Sequence, residues 1–318
     1  MERELDIDVL YEEFCGSLPA ELEPTARALS QRLALAPSPD IPWSEVFKHR
    51  VTLHAPALFE GVLPRPKPRH VERAVLAHML AVIEAFGTDR IEDRQVPDEP
   101  RLREVLRCAR DARDVALVEL GGASARELAA ESDARTLDAI ATERRLFLRG
   151  SGVSFETYRT VSAGKQSVGL PGTIVLARAS GWDARSVELA RSTLLSLWLG
   201  LQFQDDVFDW EDDLARGGAW AVLLADPSPR GEPRGSRSLD DARASIFASN
   251  VLSKMLELAL EEYRQALDGA EQLAARPLVE WLRGRVEEAA ELWEDERESP
   301  GRLLRRRKLA PWAREVLA

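Results

Sequence analysis

One segment limits the fold more than any other. Residues 192–218 read STLLSLWLGLQFQDDVFDWEDDLARGG. Leu194, Leu197 and Leu201 fall on one face at helical spacing. Continuing along that stripe in steps of four reaches Asp205, then Asp209, then Asp213, and each step drifts only about 40° on a helix of 3.6 residues per turn. A core-facing stripe therefore runs into a file of three carboxylates. Burying three like charges together is prohibitive without cations. Hard divalent ions with oxygen ligands supply that compensation, and magnesium is the usual one at phosphate sites. The plain alternative is a solvated acidic helix end. Against it, Phe208 and Trp210 interleave with the acids, and acids late in a helix oppose its macrodipole.

A second stretch repeats the pattern. In VERAVLAHMLAVIEAFGTDRIED, residues 71–93, Val75, Met79, Val82, Ile83 and Phe86 share one helical face. Asp89 and Asp93 come next on nearly that face, while Glu92 points to one side. The two acidic clusters lie about 115 residues apart in the chain. The expectation is that they face one another across a cavity mouth and hold metal ions between them.

The rest of the chain predicts an all-α protein. Ala, Leu, Arg and Glu dominate, all good helix formers, and alternating β-branched runs are almost absent. Helices are expected near 4–15, 22–35, 44–60, 70–93, 100–120, 124–149, 153–180, 184–216, 239–268, 271–296 and 301–317. Proline-bearing breaks separate several of them, as in APSPDIP, LPRPKPR and PDEP. With no repeat and no convincing linker, residues 1–318 read as one domain, a single helical bundle around a central cavity. Residues 226–238, rich in Pro, Gly, Ser and Arg, read as a mobile surface loop. It is a plain connector or a lid whose Arg230, Arg234 and Arg237 reach a bound anion.

Composition narrows the partners. The formal net charge is −11, which excludes a basic nucleic-acid-binding surface. Cys15 and Cys108 are too few for a disulfide framework and lack metal-site spacing. The acidic start MERELDIDVLYEEF has no apolar signal region. No apolar run approaches the length of a membrane span. A cytoplasmic protein is the expectation.

The run Gln202-Phe203-Gln204-Asp205-Asp206-Val207-Phe208-Asp209 resembles the second aspartate-rich motif of trans-prenyl diphosphate synthases, in which a Gln precedes DDxxD. Asp205, Asp209 and Asp213 also resemble the second metal motif of class I terpene synthases. Asp89-Arg90-Ile91-Glu92-Asp93 resembles the first aspartate-rich motif, with Arg90 where prenyl synthases carry a second Asp, a variant similar to squalene synthases. Lys165, in SAGKQS, resembles the lysine of a diphosphate-binding GKT segment. The chain is thus similar to the class I isoprenoid synthase superfamily over about residues 70–220.

That resemblance implies Asp89, Asp93, Asp205 and Asp209 as the catalytic carboxylates. With Asp213 they would hold Mg2+, three ions in all, against the diphosphate of a prenyl substrate. It implies Lys165, Gln202 and Arg216 as substrate-binding groups. Phe86, Phe203 and Trp198 would line a cavity that shields an allylic cation, although packed core is the ordinary role of any one of them. A homodimer is compatible with the resemblance.

Which reaction follows is an argument from what is missing. Chain-elongating synthases hold a second diphosphate through a glycine-lysine-arginine segment and an arginine pair after the first motif. Here FKHR at 47–50 lacks the glycines, and RQVPDEPRLRE after Asp93 lacks the pair. The expectation is a terpene synthase (a lyase), cyclising or eliminating from one prenyl diphosphate. The intact QxxDDxxD and Lys165 pull toward the alternative, a chain-elongating prenyltransferase. A non-catalytic scaffold, which Arg90 in the first motif would suit, is the alternative from another class.

Overall fold

Proline and short polar caps set where the chain turns helical. The computed structural model describes residues 5–47, 49–150, 152–225, 238–299, 301 and 303. Every regular element among them is a helix. In chain order these are α1 (Ile7–Gly16), α2 (Glu23–Arg27), α3 (Leu29–Arg32), α4 (Trp43–Val46), α5 (Arg50–Leu53), α6 (Pro68–Glu92), α7 (Pro100–Gly121) and α8 (Ala123–Arg149). There follow α9 (Phe155–Lys165), α10 (Leu170–Ala179), α11 (Ala184–Arg216), α12 (Trp220–Ala225), α13 (Leu239–Ser249), α14 (Val251–Gln272) and α15 (Arg276–Glu298). Proline occupies the first turn of α2, α6, α7, α10 and α15, where its missing N–H costs nothing. Asp6 and Ser154 cap α1 and α9, and Ser238 with Asp241 forms a capping box on α13.

The chain groups into two compact units, residues up to 133 with 168–191, and residues 134–167 with those from 192 onward. In the first unit, α6 packs along α7 and α10 lies against both. Gly172 makes that approach possible, since a Cβ there would lie 2.8 Å from the Ala74 carbonyl oxygen. Charge is buried here too. Arg113, 2% exposed, donates to both carboxylate oxygens of Asp133 at 2.7 and 2.8 Å and to Asp114 at 2.8 and 2.9 Å, and nearby Arg110 pairs with buried Glu84.

In the second unit, Phe203, Val207 and Trp210 of α11 pack with Tyr158, Trp220, Met255 and Leu256. Helices α14 and α15 pair along their length. The expected loop at 226–238 lies outside the described residues, with Arg230, Arg234 and Arg237, except for Ser238. So does the expected helix at 301–317, except for 301 and 303.

Candidate active site

Helix α11 runs unbroken for 33 residues, about 50 Å at 1.5 Å per residue. Its stripe begins in the core at Leu194 and Leu197, both fully buried. It then emerges, with Leu201, Asp209 and Asp213 half-buried and Asp205 open to water. The surrounding protein still strips hydration from these groups. Asp205 is pushed up to about 7, first by that loss and then by the charges of Asp209 and Asp213. Asp213 is pushed up to about 6 by burial, with Arg216 opposing. Arg216 Nη1 donates to Asp213 at 3.0 Å.

The deep carboxylate is Asp206, the one that steps off the stripe. Tyr158 Oη donates to it at 2.5 Å and Gln202 Nε2 at 2.9 Å. Burial pushes it up to about 8, although the tyrosine hydrogen bond pulls the other way. Gln202 in turn accepts from Gln166 Nε2 at 3.3 Å. In the free protein Gln202 is thus engaged in orienting Asp206. Gln204, on the next face, accepts from Tyr263 Oη at 2.9 Å.

Lys165 ends α9 and donates from Nζ to Glu143 at 2.7 Å. Its charge also reaches Asp206 and Asp213, lowering both. Phe203 is fully buried against the Tyr158 ring, centroids 4.6 Å apart, and Trp198 is buried as well. Those two are packed core.

The first motif closes α6. Asp93 caps it, and Arg94 follows at φ 58°. The Gln95 and Arg94 amides donate back to the Arg90 and Ile91 carbonyls at 2.9 and 3.0 Å, a Schellman ending with arginine where glycine is usual. Asp89 is half-buried and Asp93 exposed. Phe86 is 43% exposed, its ring edge-on to Phe47 at 5.3 Å, so it is no core residue. Arg90 donates to the Leu33 and Ala34 carbonyls at 3.0 and 3.3 Å. It is a backbone clamp. Arg103 is held by Asp98 at 2.5 Å and Glu92 at 2.9 Å.

Among the described residues, no three carboxylate, imidazole or thiol groups converge to hold an ion by themselves. Magnesium at phosphate sites needs less, one or two carboxylates with waters and phosphate oxygens completing the octahedron. The file of hard oxygen donors on α11, two of them held back from ionising, suits such a cation. Tyr158, Glu143 and Trp220 were invisible to motif spacing, since they lie 22 to 77 residues from their partners.

No protein-family model matches the sequence, and no curated protein is similar to it in sequence. Solved structures are similar to it in fold. The chain has the all-α fold of the class I isoprenoid synthases. A polyprenyl synthase from Caulobacter crescentus, in complex with calcium and isoprenyl diphosphate, matches at TM-score 0.68 and 16% identity over 88% of this chain and 93% of that one. A geranylgeranyl pyrophosphate synthase from Lactobacillus brevis matches at TM-score 0.70 and 15% identity, over 88% and 95%. A heptaprenyl diphosphate synthase from Staphylococcus aureus matches at 0.68 and 13%, over 90% and 99%.

These likenesses overturn the expectation of a terpene synthase, a lyase acting on one prenyl diphosphate. The matching structures are chain-elongating prenyl diphosphate synthases. The cyclase argument rested on two missing features, a glycine-lysine-arginine segment near residues 47–50 and an arginine pair after Asp93. Cations for a second diphosphate need not be sequential, so their absence from two short stretches carries little weight. No helix of the described residues is long and apolar enough to cross a membrane.

Proposed function

We propose that this chain is a chain-elongating prenyl diphosphate synthase, one catalytic domain over its length. It would join an allylic prenyl diphosphate to isopentenyl diphosphate and release pyrophosphate. The observation that carries the proposal is the file Asp205, Asp209 and Asp213 emerging from the core of α11, with Lys165 and Arg216 close by, in a fold shared with polyprenyl synthases. A cytoplasmic enzyme fits the proposal.

In this mechanism Asp205, Asp209 and Asp213, with Asp89 and Asp93 as the second set, would hold magnesium. When bound, the metal neutralises charge building on the leaving diphosphate. Lys165 and Arg216 place cations against the same oxygens, fixed in advance so that no reorganisation is needed during the reaction. Asp206 takes no ligand. Held by Tyr158 and Gln202, it anchors the turn of α11 that carries Asp205 and Asp209. Phe86, exposed one turn before Asp89, offers a ring face to an allylic cation.

The test is an assay with magnesium, labelled isopentenyl diphosphate and geranyl, farnesyl or geranylgeranyl diphosphate. Label should enter a longer prenyl diphosphate. Release of a hydrocarbon or alcohol without label would overturn the proposal. Asp209→Asn removes a ligand charge without changing shape. It should lower kcat by about a hundredfold or more, the scale of losing several kcal/mol of charge stabilisation, with far-UV circular dichroism unchanged.

A further inference from the structure

Glu143 belongs to none of the motifs, yet its surroundings are specific. It lies on α8, 8% exposed. One carboxylate oxygen accepts from Lys165 Nζ at 2.7 Å, the other from Trp220 Nε1 at 2.8 Å. A carboxylate this deep is tolerated when its charge is paired and both oxygens are bonded, and here both are.

The sequence of α8 builds the meeting. Ala139, Glu143 and Phe147 recur every four residues on one face. Ala139 receives Gly164, whose absent side chain lets α9 come close, since a Cβ there would lie 2.6 Å from the Ala139 methyl. The Thr136 hydroxyl donates to the Gly164 carbonyl at 3.3 Å. Phe147 receives the Trp220 ring at 5.2 Å. Glu143, between them, meets the lysine from one side and the indole from the other. The Trp220 ring continues to Tyr158 at 4.9 Å, and Tyr158 holds Asp206. The second carboxyl anchor is therefore reached from the first through two rings.

We infer that Glu143 is a positioning residue for diphosphate binding, holding the Lys165 ammonium beside the acidic face of α11 and off its carboxylates. The inference rests on the proposed function, in which Lys165 meets diphosphate oxygens. A lysine side chain is long and flexible, and Asp206 and Asp213 both lie within its electrostatic reach. Without Glu143 the ammonium is drawn onto them, where it competes with the metal and leaves the diphosphate short of a donor. Trp220, bonded to the opposite oxygen, fixes the carboxylate in turn.

The test is a double-mutant cycle read by calorimetry of inorganic pyrophosphate binding at saturating magnesium. Glu143→Gln should weaken binding about tenfold, within the coupling expected for side chains in contact. Added to Lys165→Met it should weaken binding no further, because it acts through the lysine. A Glu143→Gln protein that melts lower but binds as wild type does, or whose loss adds in full to that of Lys165→Met, overturns the inference. If Glu143→Gln does not fold, Glu143→Asp keeps the charge, withdraws it by one methylene, and enters the same cycle. Wild-type protein that binds no magnesium pyrophosphate would remove the proposed function itself. Wild-type binding with an unaltered Glu143 variant removes only this inference.

Discussion

Asp205 and Asp206 are adjacent in the chain and live in different media. Asp205 meets water and two like charges, whereas Asp206 sits 6% exposed under a tyrosine and a glutamine. Tyr158→Phe keeps the ring packing and removes one donor from a buried carboxylate. It should cost about 0.5–1.5 kcal/mol in urea unfolding at pH 7, the range for hydrogen bonds to a neutral group, since Asp206 ionises only at about 8, and lower kcat/KM. An unchanged unfolding midpoint would mean the hydroxyl does not hold Asp206. Arg113 makes a similar case away from the site. Arg113→Met leaves the half-buried Asp133 and Asp114 without their cation and should cost about 1–3 kcal/mol by the same measurement, less than for a wholly buried pair because both carboxylates keep some water. Motif spacing singled out Asp205, Asp209 and Lys165, because a pattern of that kind is written along one helix turn or one short segment. Phe203 and Trp198, read as cavity lining or packed core, are both buried. A stripe position says which face a side chain takes and nothing about what comes to cover it.

At the scale of elements, long helices were legible and short ones were not. Helix α11 matches its expected span of 184–216, and α6, α7 and α8 lie within two residues of theirs. The expected helix at 153–180 is instead two, joined by a 3-10 turn at Gln166–Gly169. Pro171 in the first turn of α10 cannot donate into a continuous ladder. The helix expected at 239–268 breaks at Asn250, φ 54°, one of the residues best able to adopt left-handed backbone. The break between α9 and α10 ends α9 at Lys165. Gly164→Ala tests the neighbouring contact. Its methyl would meet the Ala139 methyl, which cannot swing aside, so it should cost about 1–3 kcal/mol as an overpacked core position does. It should also weaken magnesium pyrophosphate binding by shifting Lys165. Full stability would show that α8 and α9 have room between them.

At the scale of the molecule, the acidic face sets a pH dependence. Asp205, Asp206 and Asp213 ionise at about 7, 8 and 6 in the fold, against 3.8 ordinarily. Below the ordinary value both states are protonated and the groups contribute nothing. As pH rises toward the folded values, only the unfolded chain ionises freely, and the fold loses stability. Buried His78, held below its usual value, acts in the opposite direction but only at lower pH. Between pH 6.5 and 8.5, protein in a chelator should therefore melt at progressively lower temperature, by roughly 2–4 °C per kcal/mol. Magnesium with pyrophosphate should flatten that slope, since paired carboxylates ionise normally. A flat profile in chelator, read by differential scanning fluorimetry, would mean the acids are not perturbed. The fold itself tolerates 13–16% identity to its structural neighbours, because a helical core asks for apolar residues of about the right size rather than particular ones.

The amino-acid sequence alone determined the all-α class, the long helices and the acidic file on α11. Each follows from a period of 3.6 residues, a local property that needs no knowledge of what packs where. Tertiary structure decided which aspartate is an anchor and which faces water, that Arg90 clamps backbone carbonyls, and that Lys165 rests on Glu143. Those outcomes depend on partners tens of residues away in the chain, brought together only when the helices pack. Spacing cannot see them, because burial and hydrogen-bond partners are properties of the packed interior and not of any one segment.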